Sequence, residues 1–524
     1  MKMKTVCMAT LIAMSVSVAH MNNARADFLK DLKNLADTVE NLGSDSKKKE
    51  SAPSYQTKKV NTAKDGEISD RNVDYAGYSE KFLLTKEKLK KGEINEVYDE
   101  REEERKKKNK EPNLLFSLEQ GMIGLGKSDR SDAINYFDYS EALISKHENK
   151  DKALSFISNI AREGVKFAGF DEFGYYEGEP YEKILMLNFK SIAYLLEGER
   201  KAYNVTRRAI NWQNSEKKEF DKKIKKIKEE IKEKETEQEE KGNDVSSMNL
   251  FSVIKKQYKE SNSKGLQVPS AFVNPFGFYV AGIVQEYDSY EDSSLRDNAK
   301  ISYKKALELN PKSRVLKQAV KEIKNKAPKN KRLVHVVVAD GFAPEKKVLR
   351  LDYNIAGSAI PVKLPLYEQD KSKVSRVEVL DAQGNKLSTL SQVADIDAIA
   401  MRHQYDSLRE QHLRMTTSVI RTVFEGKLFE EAGIFGVIGK VIRDEQVNPD
   451  MRSWMSLPKQ ILASRLYLSN NVRTLQIVSY DKKGRVLGKK KIKLPANEHG
   501  FVYARTIDNV VTVNYSEKMW TKVK

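Results

Sequence analysis

The stretch Ala299-Lys-Ile-Ser-Tyr-Lys-Lys-Ala-Leu-Glu-Leu-Asn-Pro311 and the later run Lys331-Arg-Leu-Val-His-Val-Val-Val338 are written in two different periods. In the first, Ala299, Tyr303 and Ala306 recur at the spacing of one helix face, and Pro311 stops the helix because it has no N–H to donate. In the second, β-branched residues follow one another without helical gaps, which is strand text. The chain therefore changes from helical to extended near residue 331. The fold class expected is a multidomain α+β protein, with a tetratricopeptide-like helical repeat domain followed by an antiparallel β-rich domain split by a helical insertion.

On the N-terminal side of this change, Gly121, Ala133 and Phe137 fall in a segment that reads as two helices joined near Lys127-Ser-Asp129. A tetratricopeptide repeat requires small residues where its two helices touch and an aromatic one turn further on, and this spacing fits. The tail at Ala299 fits as well. Tyr290 suits the preceding helix, but Tyr287 stands where a small residue is expected. Pro180 to Leu196 and Gly198 to Gln213 carry helical apolar spacing between the two. Phe220, Ile224, Ile227 and Ile231 then form a short heptad seam in Lys/Glu-rich text, a coiled-coil arm at about 214–241 that reads as one arm of a protruding helical hairpin or as a helix extension. Residues 241–268 read as a flexible return.

On the other side, Leu333 to Val338, Lys347 to Tyr353, Ala359 to Leu366 and Arg376 to Leu380 read as strands, and Asp381-Ala-Gln-Gly384 as a hairpin loop. A helical insertion is expected at about 395–445. Leu475 to Tyr480, Arg485 to Leu494, Phe501 to Thr506 and Val510 to Tyr515 restore the strands, with Asp481-Lys-Lys-Gly484 as a second hairpin loop. The domain expectation is thus a signal peptide at 1–26, a charged tether with short helices at 27–111, a helical domain at 112–325 and a β-rich domain at 331–524.

The 524 residues include 93 Lys+Arg and 75 Asp+Glu, a formal charge of +18, with 32% charged and 39% hydrophobic residues. That composition excludes a polytopic membrane protein but leaves enough apolar text for cores. Lys2 and Lys4, an apolar run from Val6 to Val18, and Ala24-Arg-Ala26 have the pattern of a secretory signal peptide, the run being shorter than the roughly 20 residues of a membrane-crossing helix. The single cysteine, Cys7, lies inside that segment, so no disulfide framework or Cys-ligated metal is expected. Export also argues against nucleic-acid partners. The location expected is the periplasm, with outer-membrane association left open.

Catalytic constellations are missing from the sequence. His335 sits in a strand, and His403 and His412, nine residues apart on one expected helix, point to opposite faces and share no metal. Metal-peptidase, calcium-loop and nucleophile-elbow motifs do not occur. Gly433, Gly436 and Gly439 among Ile434, Phe435, Val437, Ile438 and Val441 suit close helix contact, buried or at an interface. The aromatic and acidic text from Phe170 to Glu182 reads equally as a recognition surface or as an elbow between helical hairpins. The basic runs Lys326 to Arg332 and Lys489 to Lys493 suit an anionic membrane, an acidic partner or a solvated edge.

Several short segments together resemble an uncharacterised family of bacterial cell-envelope proteins, many of them lipoproteins: Tyr175-Tyr-Glu-Gly-Glu-Pro-Tyr-Glu182, Phe278-Tyr-Val-Ala-Gly282, Asn310-Pro311, Gly341-Phe-Ala-Pro-Glu-Lys346 and Asp450-Met-Arg-Ser-Trp-Met-Ser-Leu-Pro458. The resemblance implies a tetratricopeptide-like first half, a β-rich second half and no catalytic residues. The family's lipid-bearing cysteine is missing, which favours a soluble or partner-held form. The function expected is a non-enzymatic periplasmic scaffold with no cofactor and no metal. Its expected partners are cell-envelope proteins, an outer-membrane or secretion complex among them, with peripheral contact to anionic membrane. The candidate partner-binding residues are Tyr175, Tyr176, Glu177, Tyr181, Glu182, Arg452 and Trp454. The alternative is a cell-wall-associated enzyme or a regulator of one.

Overall fold

Strand β2 (Lys331–Asp340) has Val, Leu or Ala at most positions because both of its faces are covered. Leu333, Val337 and Ala339 face the helices, while Val334, Val336 and Val338 face a second sheet. A strand buried on both sides loses the polar alternation of a half-exposed one. The computed structural model describes residues 64, 66–107, 111–154, 176–243, 245, 248–355, 358–420, 449–495, 498–516 and 519. The signal segment, the tether before residue 64, Tyr175 and the 433–441 glycine cluster lie outside them.

The other strands are β1 (Ile68–Asp74), β3 (Glu345–Ile355), β4 (Ser358–Glu368), β5 (Arg376–Leu380), β6 (Lys386–Thr389), β7 (Ser391–Asp395), β8 (Gln460–Ser469), β9 (Thr474–Tyr480), β10 (Val486–Lys493), β11 (Gly500–Ile507) and β12 (Val510–Tyr515). They form three sheets, in the orders β12-β11-β2-β8-β7, β10-β9-β5-β6 and β1-β3-β4. The first two stack through Val334, Val336 and Val338 against Val377, Val379, Leu475 and Ile477. Both expected hairpin loops are present, with Gly384 and Gly484 at positive φ. The β half is not wholly antiparallel as expected, because β11 pairs with β2 in parallel. Strands β1, β7 and β8 escaped the sequence reading; β1 lies in the segment expected to be a tether and pairs with β3.

The helices are α1 (Gly77–Lys91), α2 (Ile94–Lys107), α3 (Leu114–Lys127), α4 (Arg130–Leu154), α5 (Pro180–Glu197), α6 (Lys201–Glu240), α7 (Leu250–Gln257), α8 (Lys259–Gly265), α9 (Pro275–Asp288), α10 (Leu295–Leu309), α11 (Arg314–Glu322), α12 (Ile396–Asp406) and α13 (Leu408–Val419). Their starts follow local chemistry. Asn113 accepts from Phe116 N–H, Asn274 accepts from Gly277 N–H ahead of Pro275, and Asp395 accepts from Ala398 N–H.

The α3–α4 pair closes as expected: a Cβ on Gly121 would come within 2.5 Å of the Phe137 ring, and Gly124 lies against Ala133. In the α9–α10 pair the touching residue is Gly282, packed on the Tyr303 ring, and not the position of Tyr287. Residues 289–294 separate the two helices, and this turn sets Gly282 opposite Tyr303. Tyr287 instead donates its hydroxyl to the Gly500 carbonyl at 2.5 Å.

Three further expectations are corrected. The seam is a helix extension, since α6 runs unbroken from Lys201 to Glu240, but it does not protrude as a hairpin arm, because Phe220 packs on Ala271 and Phe272, and Ile227 and Ile231 pack on Leu413 of α13. Residues 241–268 are not a flexible return but contain α7 and α8, and Leu250 and Ile254 of α7 with Tyr258 at the joint between the two helices cover the β3–β4 sheet. His403 and His412 stand on two helices, not one, since the α12–α13 chain breaks at Ser407.

Helix α8 approaches α12 closely enough that a Cβ on Gly265 would sit 2.6 Å from Arg402 N and Met401 C. Backbone cannot swing away as a side-chain tip can. Gly265→Ala is therefore expected to destabilise the protein by about 1–3 kcal/mol, whereas Gly242→Ala, in open space, costs only the strain of its positive φ. Denaturant midpoints of the two variants and the parent check this.

Candidate functional site

Glu182 is the last residue of the aromatic and acidic stretch from Phe170, and its carboxylate is completely buried in the first turn of α5. It accepts from Trp454 N–H at 2.8 Å, from Glu179 N–H at 2.9 Å and from the Tyr176 hydroxyl. Beside it, Glu179 receives Lys346 Nζ of β3 at 2.7 Å, and the same ammonium donates to the Arg452 carbonyl at 2.9 Å. Arg452 forks onto Asp450 and lies over the Tyr176 ring at 5.4 Å. Tyr181 meets Tyr367 of β4, hydroxyl to hydroxyl, at 3.1 Å. Trp454 is buried edge-on to Phe137 and Phe189.

A second carboxylate from the helices holds the same segment. Glu119 of α3, fully buried, accepts from Met455 N–H at 2.8 Å and Ser456 N–H at 3.0 Å. Three successive backbone donors of this buried irregular segment, Trp454, Met455 and Ser456 N–H, are thus satisfied by two helices. Of the sequence-selected residues, Tyr176, Tyr181, Glu182, Arg452 and Trp454 are brought together here, and four of these five are buried. Glu177 is exposed at the rim. As placed, this is an internal elbow and not an open recognition surface.

A second junction lies on the same side of the five-stranded sheet. Arg465 of β8 and Glu286 of α9 are both fully buried and form a two-point ion pair, at 2.6 and 2.8 Å. Arg465 also reaches Glu322 of α11 at 2.9 Å and the Tyr467 hydroxyl at 2.6 Å. Tyr303 donates to Glu286 at 2.8 Å, and His335 of β2 bridges Tyr279 and Arg465 at 3.2 Å each. The sequence reading missed Glu119, Glu286 and Arg465. A signal was present: each is a lone charge inside an apolar run, and such a charge is buried only with a partner.

Burial works against the charge on Glu286, but the Arg465 guanidinium and His335 hold its pKa at about 2. Glu179 stands likewise at about 2, with Lys346 and then His403 overcoming burial. Glu182 goes the other way, to about 7, through burial and then the neighbouring Glu179 charge, against the Trp454 and Tyr176 donors. Asp397, in the first turn of α12, is raised to about 8 by burial and then by Asp395. Among the described residues no cluster of His, Cys, Asp and Glu has the geometry to hold a metal ion. Away from both junctions, a surface hollow of about 490 Å³ is lined by Arg200, Tyr203, Asn204, Asp288, Glu291, Asp292 and Leu295, with Arg200 and Glu291 paired.

Three outcomes are expected. Arg465→Met leaves Glu286 charged and unpaired in the core and should cost about 3–5 kcal/mol, which a denaturation curve reads directly. Buried carboxyl groups contribute to the pH dependence of stability in two opposite directions. Toward pH 2, Glu179 and Glu286 lose their ion pairs. From about 4.5 to 8, Glu182 and Asp397 retain protons that the unfolded chain releases, so these two groups lower stability as pH rises, whereas His412 and His499, held at about 4 by burial, raise it up to about pH 6.5. Glu182→Gln should shrink the loss between pH 5 and 8 by on the order of 2–3 kcal/mol, measured by melts across that range. Comparisons of the chain with protein-family models, with curated proteins and with solved structures return no match.

Proposed function

We propose that the chain is a non-enzymatic, exported scaffold of the bacterial cell envelope, which holds other envelope proteins through its repeat-like helical layer and its β-sheets. The observation that carries this reading is how the buried charges are used. Glu119, Glu182 and Glu286 all spend their oxygens joining helices to the 450–456 segment or to β8. Helical hairpins fixed to a sheet in this way make a stiff platform, and stacked hairpins present extended surfaces to partners. The export-type N-terminal text supplies the compartment, the periplasm.

A second reading, a wall-associated enzyme or its regulator, draws support from one feature. Glu179 and Glu182 are neighbouring carboxyl groups whose pKa values are pushed apart, to about 2 and about 7, the pattern of an acid and a base. Cross-linked pull-down from envelope fractions, followed by reconstitution from purified components, separates the two. The scaffold reading expects one envelope protein bound in fixed ratio and no turnover of wall fragments. Turnover that Glu182→Gln abolishes, with no partner reconstituted, overturns it.

A further inference from the structure

Residues 304–332 contain eleven Lys and Arg against two Glu. The fold turns almost all of that charge outward. Helix α11 buries Val315, Leu316 and Ala319, leaving Arg314, Lys317 and Lys321 in one exposed stripe, continued by Lys324 in the closing turn. The acid of this helix, Glu322, is drawn inward to Arg465 and neutralises none of them. On α10, Lys304 and Lys305 are exposed next to Ile301, a large apolar side chain 53% exposed. The segment after α11 adds exposed Lys326, Lys329 and Lys331. Among the described residues, none of these nine cations forms an ion pair, although Lys305 lies over the Phe278 ring.

The linker's end is pinned. Arg332 is buried and donates to the carbonyls of Val472 and Pro495. A second basic run, on β10, has Lys489, Lys490, Lys491 and Lys493 exposed.

We infer that this face, α10, α11 and the 323–331 linker, docks the protein on an anionic lipid surface. Its chemistry selects that partner. All but one of the exposed cations between 304 and 331 are lysines, point charges suited to a diffuse field of lipid phosphates; the planar forks of arginine suit bidentate reading of a particular carboxylate or phosphate. No aromatic residue occurs from 304 to 332, so base stacking on single-stranded nucleic acid has no platform here. Ile301 supplies an apolar contact at the edge of the charged field. Juxtamembrane lysines each contribute about 1 kcal/mol to such binding. This docking goes beyond the scaffold reading and does not depend on it.

The test is co-sedimentation of the full chain with phosphatidylglycerol–phosphatidylcholine vesicles, and with phosphatidylcholine vesicles alone, at about 0.1 M salt. Binding to the anionic vesicles only is expected. Lys317→Glu/Lys321→Glu/Lys324→Glu should weaken it at least about a hundred-fold, and Lys326→Glu/Lys329→Glu, outside any helix, at least about tenfold. Lys217→Glu/Lys218→Glu/Lys232→Glu, equal in charge change but on α6, should bind within about twofold of the parent. The inference is overturned if anionic and neutral vesicles bind alike, if the α6 variant loses as much as the others, or if the linker variant loses nothing. It is also overturned if the protein binds polyglutamate but not the anionic vesicles at the same salt, which assigns the face to an acidic protein. Envelope-protein capture is read separately, so scaffolding can fail while docking stands, and the reverse.

Discussion

The constraint on which the structure depends is that β2 must be covered on both faces. Its alternate side chains are apolar in both directions, so a single sheet with one wet face would leave half of them in water. The solution is three layers. Helices cover one face, and the β10-β9-β5-β6 sheet covers the other. The parallel β2–β11 pair belongs to the same solution, since it sets β11 beside β2 with Phe501 and Tyr503 facing the helices and Val502 and Ala504 facing the second sheet.

Given that stacking, the helical layer must be fixed at a definite angle and register, and apolar contact alone is poor at choosing one. The two buried junctions supply the choice. Arg465 with Glu286 fixes α9 and α11 over β8, while Glu119 and Glu182 fix α3 and α5 over the 450–456 segment. Buried pairs are weak net contributors to stability, since desolvation opposes most of their attraction. Their geometry is strict, however, and a helical layer displaced by one residue would leave several charges buried without partners.

The same economy of charge explains the surface. Acids are drawn into junctions: Glu119, Glu182, Glu286 and, in part, Glu322. Lys346 and Lys190 go in with acids of their own, while the lysines of 304–331 remain outside with Glu308. A composition that is only moderately basic by count thereby produces a face between α10 and β2 that is strongly basic. Charge segregation of this kind follows from the fold and not from the total.

Much of the architecture was legible in the residues. The change of period near 331, the hairpin glycines at 384 and 484, the start of α5 at Pro180 and the Gly121–Phe137 contact all follow from local chemistry that acts over a few residues. Strand β1 was not legible because its exposed polar text reads as tether until β3 pairs with it, and α7 and α8 because their apolar face has meaning only against β3 and β4. The seam of α6 specified that a partner exists but not that the partner is Leu413 and Phe272. For the candidate site, the sequence determined which residues are chemically unusual, including a run of Tyr and Glu around Pro180 and a Trp after Arg452. Only the tertiary structure decided that most of them face inward, because burial is a property of what packs above a side chain, and that is set by distant strands and helices.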